Sequence, residues 1–173
     1  MDGVQDMMKR NQDLAEGFRR VEMRLMAAGD VPALFEAWVE GMGDVFAIPF
    51  LWFTIIDEPA NEDLAVALSG IRTLRDRLRL LPREVFESLI PAGKEPVLAS
   101  GDLRPFFRLM PKKNKYLLRS VAAAPIYLPN RVIGSLNHGD SVPGRYTPEM
   151  DTTLLKALAR RFSFHLSDLL LSF

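Results

Sequence analysis

Hydrophobic positions in the first thirty residues recur by three and four. Val4, Asn11, Phe18 and Leu25 take the a positions of successive heptads, and Met7, Leu14, Val21 and Ala28 the d positions. This pattern predicts a long amphipathic helix over residues 1–29. An Asn at an a position suits a coiled-coil dimer, where one buried amide fixes register at some cost in stability. Met7, Asn11, Leu14, Phe18, Val21 and Leu25 are therefore the expected dimer interface. The same stripe also suits a helix lying on its own domain. Gly29 ends the helix, and residues 30–173 are expected to form one domain.

Asp30 is placed to cap a second helix with Pro32 in its first turn. Leu34, Phe35, Trp38, Val39, Met42, Val45 and Phe46 then keep helical spacing until about Ala47, and Pro49 stops the pattern. Phe50 to Ile56 is aromatic and β-branched and reads as a buried strand. Residues 64–74 follow neither period. Arg77 to Leu81 reads as a strand, Pro82 to Ile90 as a short helix, Pro96 to Ala99 as a short strand and Leu103 to Met110 as a short helix. Leu117–Leu128 and Val132–His138 flank the tight turn Pro129-Asn130-Arg131 and predict an antiparallel hairpin. Thr147 and Pro148 are expected to open a closing helix with the stripe Leu154, Leu155, Leu158, Phe162, Leu166, Leu169 and Phe173. The sum is an α+β fold, an antiparallel sheet with the terminal helices on one face and short helices and loops on the other.

The chain has 173 residues, 48% of them hydrophobic and 25% charged, which suits one soluble globular unit. It has no cysteine, which excludes disulfides, thiolate nucleophiles and Cys-based zinc sites. The polar, acidic start lacks the charge and apolar run of a signal peptide, and no stretch matches a membrane span, so a cytoplasmic protein is expected. The net charge is zero but segregated: residues 1–65 carry 13 acids and 5 bases, residues 66–119 carry 5 acids and 12 bases, and residues 120–173 carry 4 acids and 5 bases. Clustered guanidinium and ammonium groups in the middle segment suit an anionic ligand, or else a solvated face. The neutral total and the lack of a DNA-binding motif argue against nucleic acid as a partner.

The stretches Arg119-Ser-Val-Ala-Ala-Ala-Pro-Ile-Tyr-Leu, Arg131-Val-Ile-Gly-Ser-Leu-Asn-His-Gly-Asp and Arg145-Tyr-Thr-Pro-Glu-Met-Asp, followed by Leu154-Leu-Lys-Ala-Leu-Ala, resemble the end of a GAF domain. Ser120, Pro125, Gly134, Leu136, Tyr146 and Pro148 fall on the family pattern. The Gly-Asp-Ser stretch and the Thr-Pro-Glu-Met-Asp-Thr step look closest to an uncharacterised GAF-like bacterial family known only as a domain of unknown function. The resemblance is good over residues 117–170 and looser over 31–116. It implies a domain that binds a small molecule, such as a cyclic nucleotide, haem or metabolite, and signals through its terminal helices. It implies neither bilin attachment nor the GAF-type methionine sulfoxide reductase activity, since both need cysteine. Phe53-Thr-Ile-Ile-Asp57-Glu58 matches half of the cyclic-nucleotide signature, but Asn114-Lys115 follows it where the family pattern has the pair first.

Catalytic patterns are sparse. His138, Asp140 and Ser141 are neighbours in sequence, whereas a triad requires convergence in space. His165 lies on an apolar helix face. Two distant histidines give no metal spacing, and no cofactor is expected. Arg104 and Arg108, one helical turn apart around Phe106 and Phe107, would form an anion clamp. Trp52 and Thr54 share a strand face, and Tyr127, Ser135, Asn137 and His138 are polar positions in apolar strands. These eight residues are the expected ligand site, between the sheet and residues 75–115. The expected function is a non-catalytic, small-molecule-sensing regulatory domain acting as a homodimer, with a signalling protein as a further partner. The alternative is a dimerisation or interaction module with a filled pocket.

Overall fold

A computed structural model describes residues 2–91 and 93–171. Helix α1 runs from Asp2 to Met26, and α2 from Val31 to Phe46. The Asp30 carboxylate accepts the Ala33 amide at 2.8 Å and so satisfies one of the free N–H groups of the first turn of α2. Ala47 ends α2 in a left-handed conformation, φ 52°. Strand β1 spans Phe50–Ile56, β2 Leu78–Leu81, β3 Val97–Ser100, β4 Ser120–Leu128 and β5 Arg131–Asp140. Between them lie α3 (Glu62–Ser69), α4 (Arg72–Arg75) and α5 (Arg83–Leu89), and α6 (Thr153–Leu171) closes the chain. Phe173, expected at the end of the last apolar stripe, lies outside the described residues.

The strands form one sheet in the order β2-β1-β5-β4-β3. Three of its four pairings are antiparallel, as expected, but β1 and β2 run parallel, so the sheet is mixed. The helices α3 and α4, in the stretch that follows neither period, supply the crossover that a parallel pair requires.

Side-chain alternation gives the sheet two faces. Leu51, Phe53, Ile55, Ile126 and Leu136 join Val21, Leu25, Leu34, Phe35, Trp38, Phe162 and Leu166 in the larger core, under α1, α2 and α6. Trp52, Ile56, Val121 and Ala123 face the other way, onto Leu81, Phe86, Ile90, Leu103, Leu109 and Met110 of the middle segment. A bulge at Ile126/Tyr127 lets Ile133 enter the helix-side core while Val132 packs on the opposite side. The His165 ring nitrogen meets the Ala28 carbonyl at 2.7 Å and ties α6 to the end of α1.

Two expected helices are corrected. The closing helix begins at Thr153, not at Thr147. Asp151 Oδ1 accepts both the Thr153 amide and its hydroxyl, at 2.9 and 2.6 Å, while residues 147–150 form a turn closed by Met150 N to Thr147 O. Leu103 to Met110 is not an α-helix: a 3-10 turn spans only Arg104–Phe106, started by the Asp102 carboxylate accepting the Arg104 amide. Among the described residues, no helix is long and apolar enough to cross a membrane.

Candidate functional site

The centre of the sheet face that looks onto the middle segment is filled. Trp52 donates its indole N–H to the Leu109 carbonyl at 2.8 Å and packs beside Leu103, Met110, Leu118 and Val121. Thr54, Ser135 and Asn137 are all fully buried, and they satisfy one another. Asn137 Nδ2 donates to Thr54 Oγ1 at 2.9 Å, and Ser135 donates to Asn137 Oδ1 at 2.8 Å. Strand register makes this contact, because Thr54 pairs with Ser135 and Trp52 with Asn137. These polar groups hold the sheet instead of waiting for a ligand.

Space opens at the end of the same face. A cleft of about 700 Å³ lies between the start of β1, the α4–β2 segment and residues 111–114. Phe50 and Trp52 give it an aromatic wall. Arg72, Arg77, Arg79, Lys112 and Lys113 line it, with Asp76 as the lining carboxylate. Arg77 is anchored by donating to the Leu51 carbonyl at 2.7 Å, and Arg79 by donating to the Arg108 carbonyl at 2.7 Å. The Arg79 Nε–H is buried and has no partner among the described residues. Arginines anchored through one nitrogen and free at another are suited to hydrogen-bond a phosphate or carboxylate. Arg77, just before β2, and Arg79 within it share a side by the β-strand period, a signal that the sequence carries. Trp52 is the residue common to this cleft and to the sequence-derived set.

The other expected ligand residues do not meet at this cleft. Arg104 turns its guanidinium to Asp102, at 2.9 and 2.8 Å, with its side chain 79% exposed. Arg108 is exposed beyond the 3-10 turn, so the helical spacing expected to pair it with Arg104 is absent. It reaches the cleft through its carbonyl. Tyr127 stands at the α6 side, under the Lys94 ammonium at 4.4 Å from its ring. His138 lies on the helix face of the sheet, stacked on Trp38 (centroids 5.7 Å, interplanar 27°) and 5.9 Å from the Tyr146 ring. It lines a separate cavity of about 350 Å³, walled by α1, α2, the 145–151 segment and the start of α6.

His138 forms no triad. Asp140 accepts the Val142 amide on one oxygen and Arg145 on the other, at 2.9 and 3.1 Å. Complete burial, with Arg145 adding a smaller repulsion, lowers the His138 pKa to about 3, so the ring is neutral. Burial raises the Tyr146 hydroxyl to about 12, only partly countered by Arg145. Among the described residues no cluster of His, Asp and Glu is placed to hold a metal ion.

The expected dimer residues divide along α1. Val21 and Leu25 are core residues of this chain, and Phe18 is half-buried against Phe46. Met7 (51%) and Leu14 (45%) are exposed, as are Asn11 and Val4.

No family model and no curated protein matches the chain. Solved structures do resemble it. The GAF domain of Acinetobacter phosphoenolpyruvate-protein phosphotransferase is 15% identical, with 91% of this chain and 95% of that chain covered and a TM-score of 0.62. The free methionine-R-sulfoxide reductase of Neisseria meningitidis, solved with its substrate, is 16% identical, with 90% and 89% covered and a TM-score of 0.57. At such identities the likeness speaks for the backbone arrangement alone, and with the sheet order above it establishes that this chain has a GAF-like α+β fold.

Proposed function

We propose that this chain is a regulatory, non-catalytic domain that binds a small anion in the cleft beside Trp52. One observation carries the reading: five cationic side chains surround an aromatic-walled cleft, and the buried Nε–H of one of them, Arg79, has no partner among the described residues. An uncompensated buried guanidinium nitrogen is costly, and an anion oxygen satisfies it. The fold supports a ligand-binding role, since one structural neighbour is a GAF domain and another was solved in complex with its substrate. The absence of cysteine argues against thiol-based reduction of a sulfoxide.

Isothermal titration calorimetry with pyrophosphate and citrate tests this. Pyrophosphate is expected to bind at low salt, and Arg79→Met to weaken it at least tenfold. If neither anion binds, or if Arg79→Met binds as well as the parent, the reading fails.

A second reading has its own support. The sheet centre is filled, and α1 leaves Val4, Met7 and Leu14 exposed on its outer half. On this reading the domain pairs with a second copy through α1 and presents that pair to a signalling protein. Sedimentation across a range of protein concentrations separates the readings: a concentration-dependent dimer with no anion binding favours the interaction module.

A further inference from the structure

Four buried side-chain polar atoms lack a hydrogen-bond partner among the described residues, and three of them lie in one aromatic group. They are Trp38 Nε1, His138 Nε2 and Tyr146 Oη, in rings that touch in the order Trp38, His138, Tyr146. The cavity of about 350 Å³ on the helix face is lined by two of these rings, His138 and Tyr146. Leu14, Phe18, Met42 and Phe46 make much of its wall, and Leu14, Met150 and Leu154 form a solvent-facing rim. His138 is 2% exposed.

We propose that this cavity is a second ligand site, on the sheet face opposite the basic cleft, for a small neutral molecule with an apolar body and one hydroxyl group that bonds to His138 Nε2 and Tyr146 Oη. The proposal does not rest on anion binding at the cleft. The charged groups of the cavity wall are already engaged within the chain. Arg145 is held by Asp140 at 3.1 Å and by the Phe46 carbonyl at 2.7 Å. Asp151 Oδ1 receives both Thr153 donors. The imidazole is neutral, and the phenol, beside the Arg145 guanidinium, keeps its own proton to donate; Asn11 and Thr152 are the other polar side chains on the lining. An anionic ligand would enter an apolar wall whose lining cation, Arg145, is already paired with Asp140. At roughly 30 Å³ per water-sized group, the volume suits about a dozen non-hydrogen atoms. Apolar walls with few convergent polar groups are the usual make-up of small-molecule sites.

The test uses three matched probes, p-cresol, toluene and p-toluate, titrated into the full isotope-labelled chain and followed by NMR at the His138 ring and at the Met42 and Met150 methyl groups, which line the same cavity and remain observable in His138→Phe. p-Cresol is expected to give saturable shifts at His138 and to bind at least tenfold tighter than toluene or p-toluate. Tyr146→Phe is expected to reduce that preference for p-cresol over toluene. His138→Phe is expected to abolish it while toluene binding is retained, which also shows that the variant is folded. No saturable shift with p-cresol overturns the proposal, and so does equal affinity for p-cresol and toluene, which would mean that water suffices for the polar atoms. Equal affinity for p-toluate overturns it as well. Shifts at His138 that follow protein concentration without any probe would mean that a second copy fills the cavity, and they too overturn it.

Discussion

Gly134 stands where a methyl group cannot. A Cβ there would lie 1.9 Å from the Thr54 carbonyl oxygen, which is backbone of the neighbouring strand and cannot swing aside. Gly134→Ala is therefore expected to cost at least about 3 kcal/mol in urea unfolding, whereas Gly29→Ala, with nothing within 4 Å, should stay within about 0.5 kcal/mol. Equal costs would mean that β1 and β5 are not so closely paired. His138 gives a pH signature. Its pKa is about 3 in the folded chain against 6.5 for the free side chain. The unfolded chain thus takes up a proton that the folded chain refuses, and stability falls as pH drops from about 6.5 toward 3, by up to roughly 1.4 kcal/mol per unit. Arg145, Tyr146, Asp140 and Asp151 surround that site, and none is an unengaged carboxylate aimed at the ring. Urea midpoints at pH 7 and 4.5 should show an excess loss in the parent that His138→Phe removes. Polar residues inside apolar strands were visible in the sequence. Whether Thr54, Ser135 and Asn137 bond to a ligand or to each other was not, because strand register across residues eighty apart decides it.

Among the elements, α1 shows how one pattern serves two surfaces. Its inner half is nailed into the core by Val21 and Leu25, and its outer half keeps the same stripe in solvent. Heptad spacing could not separate these, since a helix on its own domain and a helix on a partner present nearly the same periodicity over this length. If the chain pairs through α1, Met7→Glu with Leu14→Glu is expected to abolish that pairing in sedimentation with little change in melting temperature, because neither side chain supports this chain's own core. The strands and the hairpin were legible from β-branched and aromatic runs. The parallel placement of β2 was not, because it depends on where the intervening helices send the chain. The end of β1 is fastened to α5 and β5 by one arginine: Arg83 grips both Glu58 oxygens, at 2.6 and 2.9 Å, and donates to the Val132 carbonyl at 3.1 Å. Arg83→Met should cost about 1–2 kcal/mol in chemical denaturation, since these groups are only partly screened by water. A change near zero would reduce that junction to surface decoration.

Across the whole molecule, a net charge of zero conceals a local excess. The acidic helices and the basic middle segment cancel in the total, yet Arg72, Arg77, Arg79, Lys112 and Lys113 converge at one cleft. The cleft's cations come from the segment whose charge count is most basic, whereas Arg104 and Arg108 lack the helical spacing expected of them, since Asp102 and Pro105 give that stretch a turn of its own. Any anion affinity should fall steeply between low and physiological salt, and Lys112→Glu with Lys113→Glu should flatten that dependence. The seat of α1 carries a mechanical corollary. Gly17 lies so close to Phe46 that an added Cβ would be 2.9 Å from the ring, and Phe46, Phe18 and Leu14 all wall the cavity that contains His138. If α1 pivots where Gly17 meets Phe46, its exposed outer half is the lever arm. At 1.5 Å of rise per residue, a tilt of about 10° there would sweep the Gly3 end, roughly 21 Å away, through about 4 Å. A displacement smaller than an atom at Phe46 would then reach the tip of α1 enlarged to the width of a side chain.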